Sequence, residues 1–190
     1  MTPLSIAADL SGATRMLLAS DGSTTLLLES LLDRRLTVRV AAQRTVTAAE
    51  APPRALAALG LDPEHRVVDR ASALVTVTGE VVSRNTVVFT APPRGWSGTS
   101  EDTVPLGRRL RDAHTLQHRS LLSSGTTWWA HEDGEGEPCA YKEYLIHCED
   151  GGRLYVHEVF NPCYVPAPRQ GVHPRPAPTA AAGPAHAAAR

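Results

Sequence analysis

The sequence predicts an α+β fold, a single antiparallel β-sheet flanked by helices. Two pairs of strand-like segments, 67–77 with 81–90, both rich in β-branched residues, and 140–148 with 153–160, are each separated by a short polar turn, so strands arrive as hairpins. Strand-like segments outnumber helix-like ones. They do not alternate with helices in the strand, helix, strand order that a parallel sheet requires.

Taken in order, 10–32 reads as two short helices, because Met16, Leu17 and Leu18 and then Leu26, Leu27, Leu28, Leu31 and Leu32 recur near helical spacing. Asp21-Gly22-Ser23-Thr24 separates them as a turn leading into an N-cap, a point with free backbone N–H groups that can hold an anion. From 35 to 46, Leu36, Val38 and Val40 alternate with Thr37, Arg39 and Ala41, the period of a strand with one buried face. Pro52-Pro53 opens a short Ala/Leu helix that ends at Gly60. After the first hairpin and a Pro/Gly/Ser loop at 91–102, the leucines at 106, 110, 116, 121 and 122 predict helices over 104–122, broken near 113–115. Trp128-Trp129 reads as a core-and-rim pair at the start of a strand. An acidic, Gly-rich turn at 132–137 precedes the second hairpin, which closes at Asp150-Gly151-Gly152.

The chain has 190 residues, with 19 Lys and Arg against 20 Asp and Glu and a formal net charge of −1. That balance indicates neither nucleic acid nor an anionic membrane surface as a partner. No apolar run approaches the roughly 20 residues that span a bilayer, and the N-terminus lacks the basic and then apolar pattern of a secretory signal, which predicts a cytoplasmic protein. One domain is expected over 1–165, followed at 166–190 by a Pro/Ala-rich tail too poor in large apolar residues to fold. Cys139, Cys148 and Cys163 are odd in number and not closely paired, so they predict plain thiols rather than a disulfide framework or a zinc site.

Two charged residues stand in awkward places. Leu154, Val156, Glu158 and Phe160 share one face of a strand by the two-residue period, so an acid sits in an apolar row. Such a carboxyl is protonated, paired, or turned toward a cavity where a ligand meets it, unless that face is the solvent side. Arg70 lies inside the strand 67–77, where its rigid fork suits a carboxylate; the alternative is an edge-strand arginine covering apolar surface with its stem. Arg84 poses a similar question in the next strand. His147 and His157, on neighbouring strands, are too few for a metal site and are expected to be exposed. There is no nucleophile elbow, P-loop or dinucleotide fingerprint.

Four stretches in order resemble the chorismate pyruvate-lyase family: DGSTTLLLESLLDRRLTVRV at 21–40, VVDRASALVTVTGEVVSRNTVVF at 67–89, VPLGRRL at 104–110 and LYVHEVFNP at 154–162. The resemblance implies a chorismate lyase-like antiparallel sheet, related to the UTRA effector domains of transcription regulators. It implies that Arg70 binds the substrate carboxylate and that Glu158 is the active-site glutamate. Main-chain N–H groups of Thr24 and Leu106 match positions that bind the ring carboxylate. Two positions depart from the family pattern. Thr24 replaces a larger apolar residue, and Arg84 falls on or beside a usual glycine, where it would block the pocket or add a second cation to it.

The reaction implied is loss of pyruvate from chorismate to give 4-hydroxybenzoate, driven by aromatisation and needing no cofactor or metal. The protein would supply orientation and charge placement, with Glu158 assisting proton movement. Two other readings remain. One is a non-catalytic effector-sensor domain for a small aromatic acid, disfavoured because only about ten residues precede the first matched helix, too few for a helix-turn-helix. The other is a lyase acting on a modified chorismate, for which Thr24 and Arg84 would be the distinguishing residues.

Overall fold

The computed structural model describes residues 10–94, 96, 98–131 and 134–167. Helix α1 (Gly12–Ala19) starts at Ser11, whose hydroxyl accepts from the Thr14 N–H, and α2 (Thr24–Leu32) starts at Ser23, whose hydroxyl accepts from the Leu26 N–H. The turn at 21–23 therefore ends in a helix cap, as its hydroxyl residues predict. Strand β1 (Thr37–Thr47) leads through a 3-10 turn (Ala48–Glu50), closed by a Thr47–Glu50 capping box, into α3 (Pro53–Leu59). Gly60 ends α3 at φ 64°, a left-handed cap that favours glycine. Next come β2 (Arg66–Val75), β3 (Val81–Phe89), α4 (Leu106–Asp112), β4 (Gln117–Ala130), β5 (Gly136–Cys148) and β6 (Arg153–Phe160).

The strands form one sheet in the order β1-β2-β3-β6-β5-β4, antiparallel at every pairing. It consists of two meanders, β1–β3 and β4–β6, joined where β3 pairs with β6. The α+β class and both predicted hairpins are present.

One element differs from its expectation. The stretch 116–122, predicted helical, enters β4, which pairs with β5 from Gln117↔Cys148 to Ala130↔Gly136. Its leucines suggest a helical stripe, but the serines, Gly125 and the threonines that follow are poor helix formers, and a long partner strand overrides local spacing. Trp128 and Trp129 consequently lie at the end of a strand rather than at its start. The core-and-rim assignment holds, with Trp129 buried and Trp128 56% exposed.

Two apolar clusters cover one sheet face. Leu17, Leu18 and Leu28 of α1 and α2 pack with Leu36, Val38, Leu74 and Phe160, while Leu110 of α4 and Trp96 pack with Val87, Tyr144, Ile146 and Val156. The opposite face is covered in part by α3, whose Ala55 and Leu59 meet Val67, Val88, Leu145 and Tyr155. The seam between the first two clusters is where the polar residues of the site collect.

No helix among the described residues is long and apolar enough to cross a membrane. Cys139, Cys148 and Cys163 are free thiols; burial pushes Cys139 up to about 12 and Cys148 up to about 11. The expected tail, apart from its first two residues, lies outside the described residues.

Candidate functional site

A partly enclosed cavity of about 50 Å³ lies at that seam, with room for about four waters. Thr24, Arg70, Leu106 and Glu158 all line it, so four of the five residues singled out by sequence meet in one place. Strand register explains how. Arg70 is flanked by Gln43 of β1 and Val87 of β3, and Asn85, two residues before Val87 on the same face, lies opposite Glu158 of β6. Thr24 opens α2, and Leu106 opens α4 directly after Pro105.

Arg84 is not part of the group, and both roles expected for it, blocking the pocket or adding a second cation, are corrected. It neighbours Asn85 in β3, so the two-residue period turns it to the opposite face. There it is exposed, stacks over Trp129 at 4.1 Å from the ring centroid and donates to the Ala130 carbonyl at 2.8 Å.

Arg70 is 3% exposed and lies on an interior strand, which removes the edge-strand alternative. Its Nη1 donates to Gln43 Oε1 at 2.9 Å and to the Thr99 carbonyl at 2.5 Å, and its Nη2 to the Asp102 carbonyl at 3.1 Å. All three acceptors are uncharged. Burial lowers the Arg70 pKa, and the Asp102 carboxylate acts against that. Asp102 is itself bound by Arg109, through Nε and Nη2, and by the Val104 N–H. One carboxylate thus stands between two guanidiniums, and a net positive charge is left at this end of the cavity.

Glu158 holds the other end. Burial raises its pKa, opposed first by Lys142 and then by Thr24, Arg119 and Tyr144. Its Oε2 is buried without a hydrogen-bond partner, and so are Asn85 Oδ1 and Thr24 Oγ1. The Thr24 hydroxyl is therefore near enough to favour the anion without meeting hydrogen-bond geometry. Lys142 lies opposite Glu158 in β5, is 1% exposed, and donates its Nζ to the Leu17 and Ser20 carbonyls at the end of α1.

Sequence reasoning missed Lys142, Asn85 and Arg119. The first two carry the same signal that exposed Glu158. Lys142 shares its face with Ala140, Tyr144 and Ile146, and Asn85 shares its face with Val87 and Phe89. Arg119 was hidden by the helical reading of 116–122. Asp102 had no signal, being a loop residue placed by tertiary contacts. His147 and His157 are half-buried rather than exposed; His147 stacks on His118 with centroids 4.4 Å apart. No group of three or more His, Cys, Asp or Glu among the described residues is placed to hold a metal.

The carboxyls beside the site predict an acid sensitivity. Burial pushes Asp102 and Glu29 up, but Arg109 and the Val104 N–H on one, and the Leu36 N–H and Arg108 on the other, outweigh it, so both lie below their ordinary values of 3.8 and 4.5. A depressed carboxyl stabilises the fold fully above its unfolded value, and that contribution is lost as pH falls through the folded value. Unfolding midpoints in urea should therefore decline from about pH 5 to about pH 3, and Asp102→Asn should lessen the decline. Glu158, with its raised value, acts with the opposite sign, so Glu158→Gln should steepen it. An unchanged slope in Asp102→Asn would refute the assignment.

No family model matches the chain, and no curated protein matches it. Solved structures do. The effector domain of PhnF from Mycobacterium smegmatis has a TM-score of 0.52 at 14% identity, over 74% of this chain and 88% of that one. The fold is shared with that effector domain. PhnF itself scores 0.52 at 14% identity over 77% of this chain. YydK from Bacillus subtilis, a possible transcriptional regulator, scores 0.52 at 14% identity over 73%. The chain spans 66% of the length of PhnF and 64% of that of YydK.

These likenesses correct the expectation of a chorismate pyruvate-lyase. The shared architecture is that of the effector domain of PhnF.

Proposed function

We propose that this domain binds a small organic acid, of the aromatic or hydroxy-acid kind, in the cavity between Arg70 and Glu158 and does not transform it. The observation that carries the reading is the set of buried, unpartnered acceptors, Glu158 Oε2 and Asn85 Oδ1, facing a guanidinium whose charge is incompletely balanced. Buried polar groups without a partner are rare and costly, so a ligand that brings a donor gains by satisfying them. Val38, Leu74, Val87, Ile146 and Val156 form apolar walls between the two ends, which suits a flat or branched carbon skeleton. The ligand's carboxylate meets Arg70, and its hydroxyl or ammonium donates to Glu158 and Asn85.

A ring exceeds the present cavity, so binding widens it, with the carboxylate replacing the Thr99 or Asp102 carbonyl on Arg70. The test is a thermal-shift comparison of 4-hydroxybenzoate, benzoate and phenol at equal concentration. The hydroxy acid should raise the melting temperature most, because it alone satisfies both ends, and Asn85→Ala should reduce its advantage over benzoate. Equal shifts from all three compounds, or none, would refute the two-ended site.

A further inference from the structure

The inner cavity shares a wall with a second space. Where α2 starts, α4 ends and β4 begins, an open cleft of about 440 Å³ is lined by Ser23, Gly107, Arg111, His114, Gln117 and Arg119, among others. Ser23, Gly107 and Arg119 line both spaces. Gly107 fits the partition because it has no side chain: a Cβ there would come within 2.7 Å of Ser23 Oγ and 3.5 Å of Arg119 Nη2.

The cleft has one sign of charge. Two guanidiniums line it and no carboxylate does. Of the three arginines on α4, Arg108 is paired with Glu29 and Arg109 with Asp102, whereas Arg111 has no ion pair among the described residues. Arg119 keeps its Nε buried and unpartnered, and Gln117 Oε1 is in the same position. His114 also lines the cleft, at the left-handed position (φ 52°) that caps the end of α4, where the Thr115 N–H closes on the Leu110 carbonyl.

We propose that this cleft is an oxyanion subsite that receives a second anionic group, a carboxylate or a phosphate, of the ligand whose polar head occupies the inner cavity. The inference rests on the ligand-binding reading above and adds the ligand's shape and charge: an elongated molecule that passes Gly107 and ends in an anion between Arg111 and Arg119.

The experiment uses the full chain and follows amide resonances at constant ionic strength, with inorganic phosphate, acetate and 4-hydroxyphenyl phosphate as probes. Phosphate should give saturable shifts centred on Gly107 and on 115–117, and Arg111→Gln should weaken it about tenfold. Acetate shifting the same resonances more weakly would mark phosphate as the preferred oxyanion; the reverse order would mark a carboxylate. 4-Hydroxyphenyl phosphate should bind at least tenfold tighter than phosphate, and Glu158→Gln should reduce that gain. Absence of saturable shifts at the cleft with either ion, or an Arg111→Gln variant that binds both unchanged, would overturn the proposal. Failure of the inner-cavity reading has a different signature, namely phosphate shifts that persist with no gain from the hydroxyphenyl group.

Discussion

Lys142→Met lowers the unfolding free energy by about 2 to 4 kcal/mol, because two buried carbonyls lose their donor at about 1 to 3 kcal/mol each before relaxation. For a chain of this size that is a fall in melting temperature on the order of 10 °C. Methionine fills nearly the same volume, so the loss is electrostatic rather than a cavity effect. Lys142 Nζ donates to the Leu17 and Ser20 carbonyls, and α1 has no basic residue in its own last turn, so the sheet supplies the cation that closes that helix. The same ammonium is the leading influence holding the Glu158 pKa down against burial. Without it the carboxyl takes up a proton at a higher pH, and the acceptor offered to a ligand becomes a donor. The double variant Lys142→Met with Glu158→Gln should recover part of the loss, since the second change removes the uncompensated acid, and the cycle gives the coupling directly. A single-variant loss below about 1 kcal/mol would show that the pair is already neutral in the folded state.

Much of this site was legible because a two-residue period turns a sequence into two faces. Glu158 among Leu154, Val156 and Phe160 was visible as a charge in an apolar row and Arg70 as a charge inside a strand, and both line the cavity. The same period, applied to Lys142 and Asn85, would have found them, and applied to Arg84 against Asn85 it would have removed Arg84. The edge of the sheet was harder to see. Strand β4 has few β-branched residues before Thr126 and a leucine spacing that imitates a helix, so its strand character comes from β5 rather than from its own composition. Least legible was the loop at 98–105, which acts on Arg70 through the Thr99 and Asp102 carbonyls. A carbonyl carries no residue identity, and only the folded path of the chain aims it. Biochemical role lay further from the sequence still, because the motif order that suggested a lyase is compatible with a fold shared by an effector domain.

Arg70→Met should cost about 3 kcal/mol of stability and abolish the melting-temperature rise given by carboxylate ligands. The stability loss follows from the acceptors it leaves behind. Gln43 Oε1 and the Thr99 and Asp102 carbonyls each lose their donor in a buried setting, at about 1 to 3 kcal/mol for an unsatisfied group before relaxation. Asp102 keeps Arg109, so its carboxylate stays paired while the loop it belongs to loses its anchor on β2. Binding follows a separate course. With Arg70 gone, the cavity has Glu158 at one end and no cation at the other, so a carboxylate enters against an acid and an apolar wall. Arg70→Lys separates the two effects, because it keeps the charge and surrenders the fork: it should regain part of the ligand-induced shift while recovering little of the three-acceptor anchor. Retention of the full carboxylate shift in Arg70→Met, measured on protein whose circular dichroism remains native, would move the anion site elsewhere. The outer cleft with Arg111 and Arg119 would then be the place to look, and a phosphate titration of the same variant would decide between them.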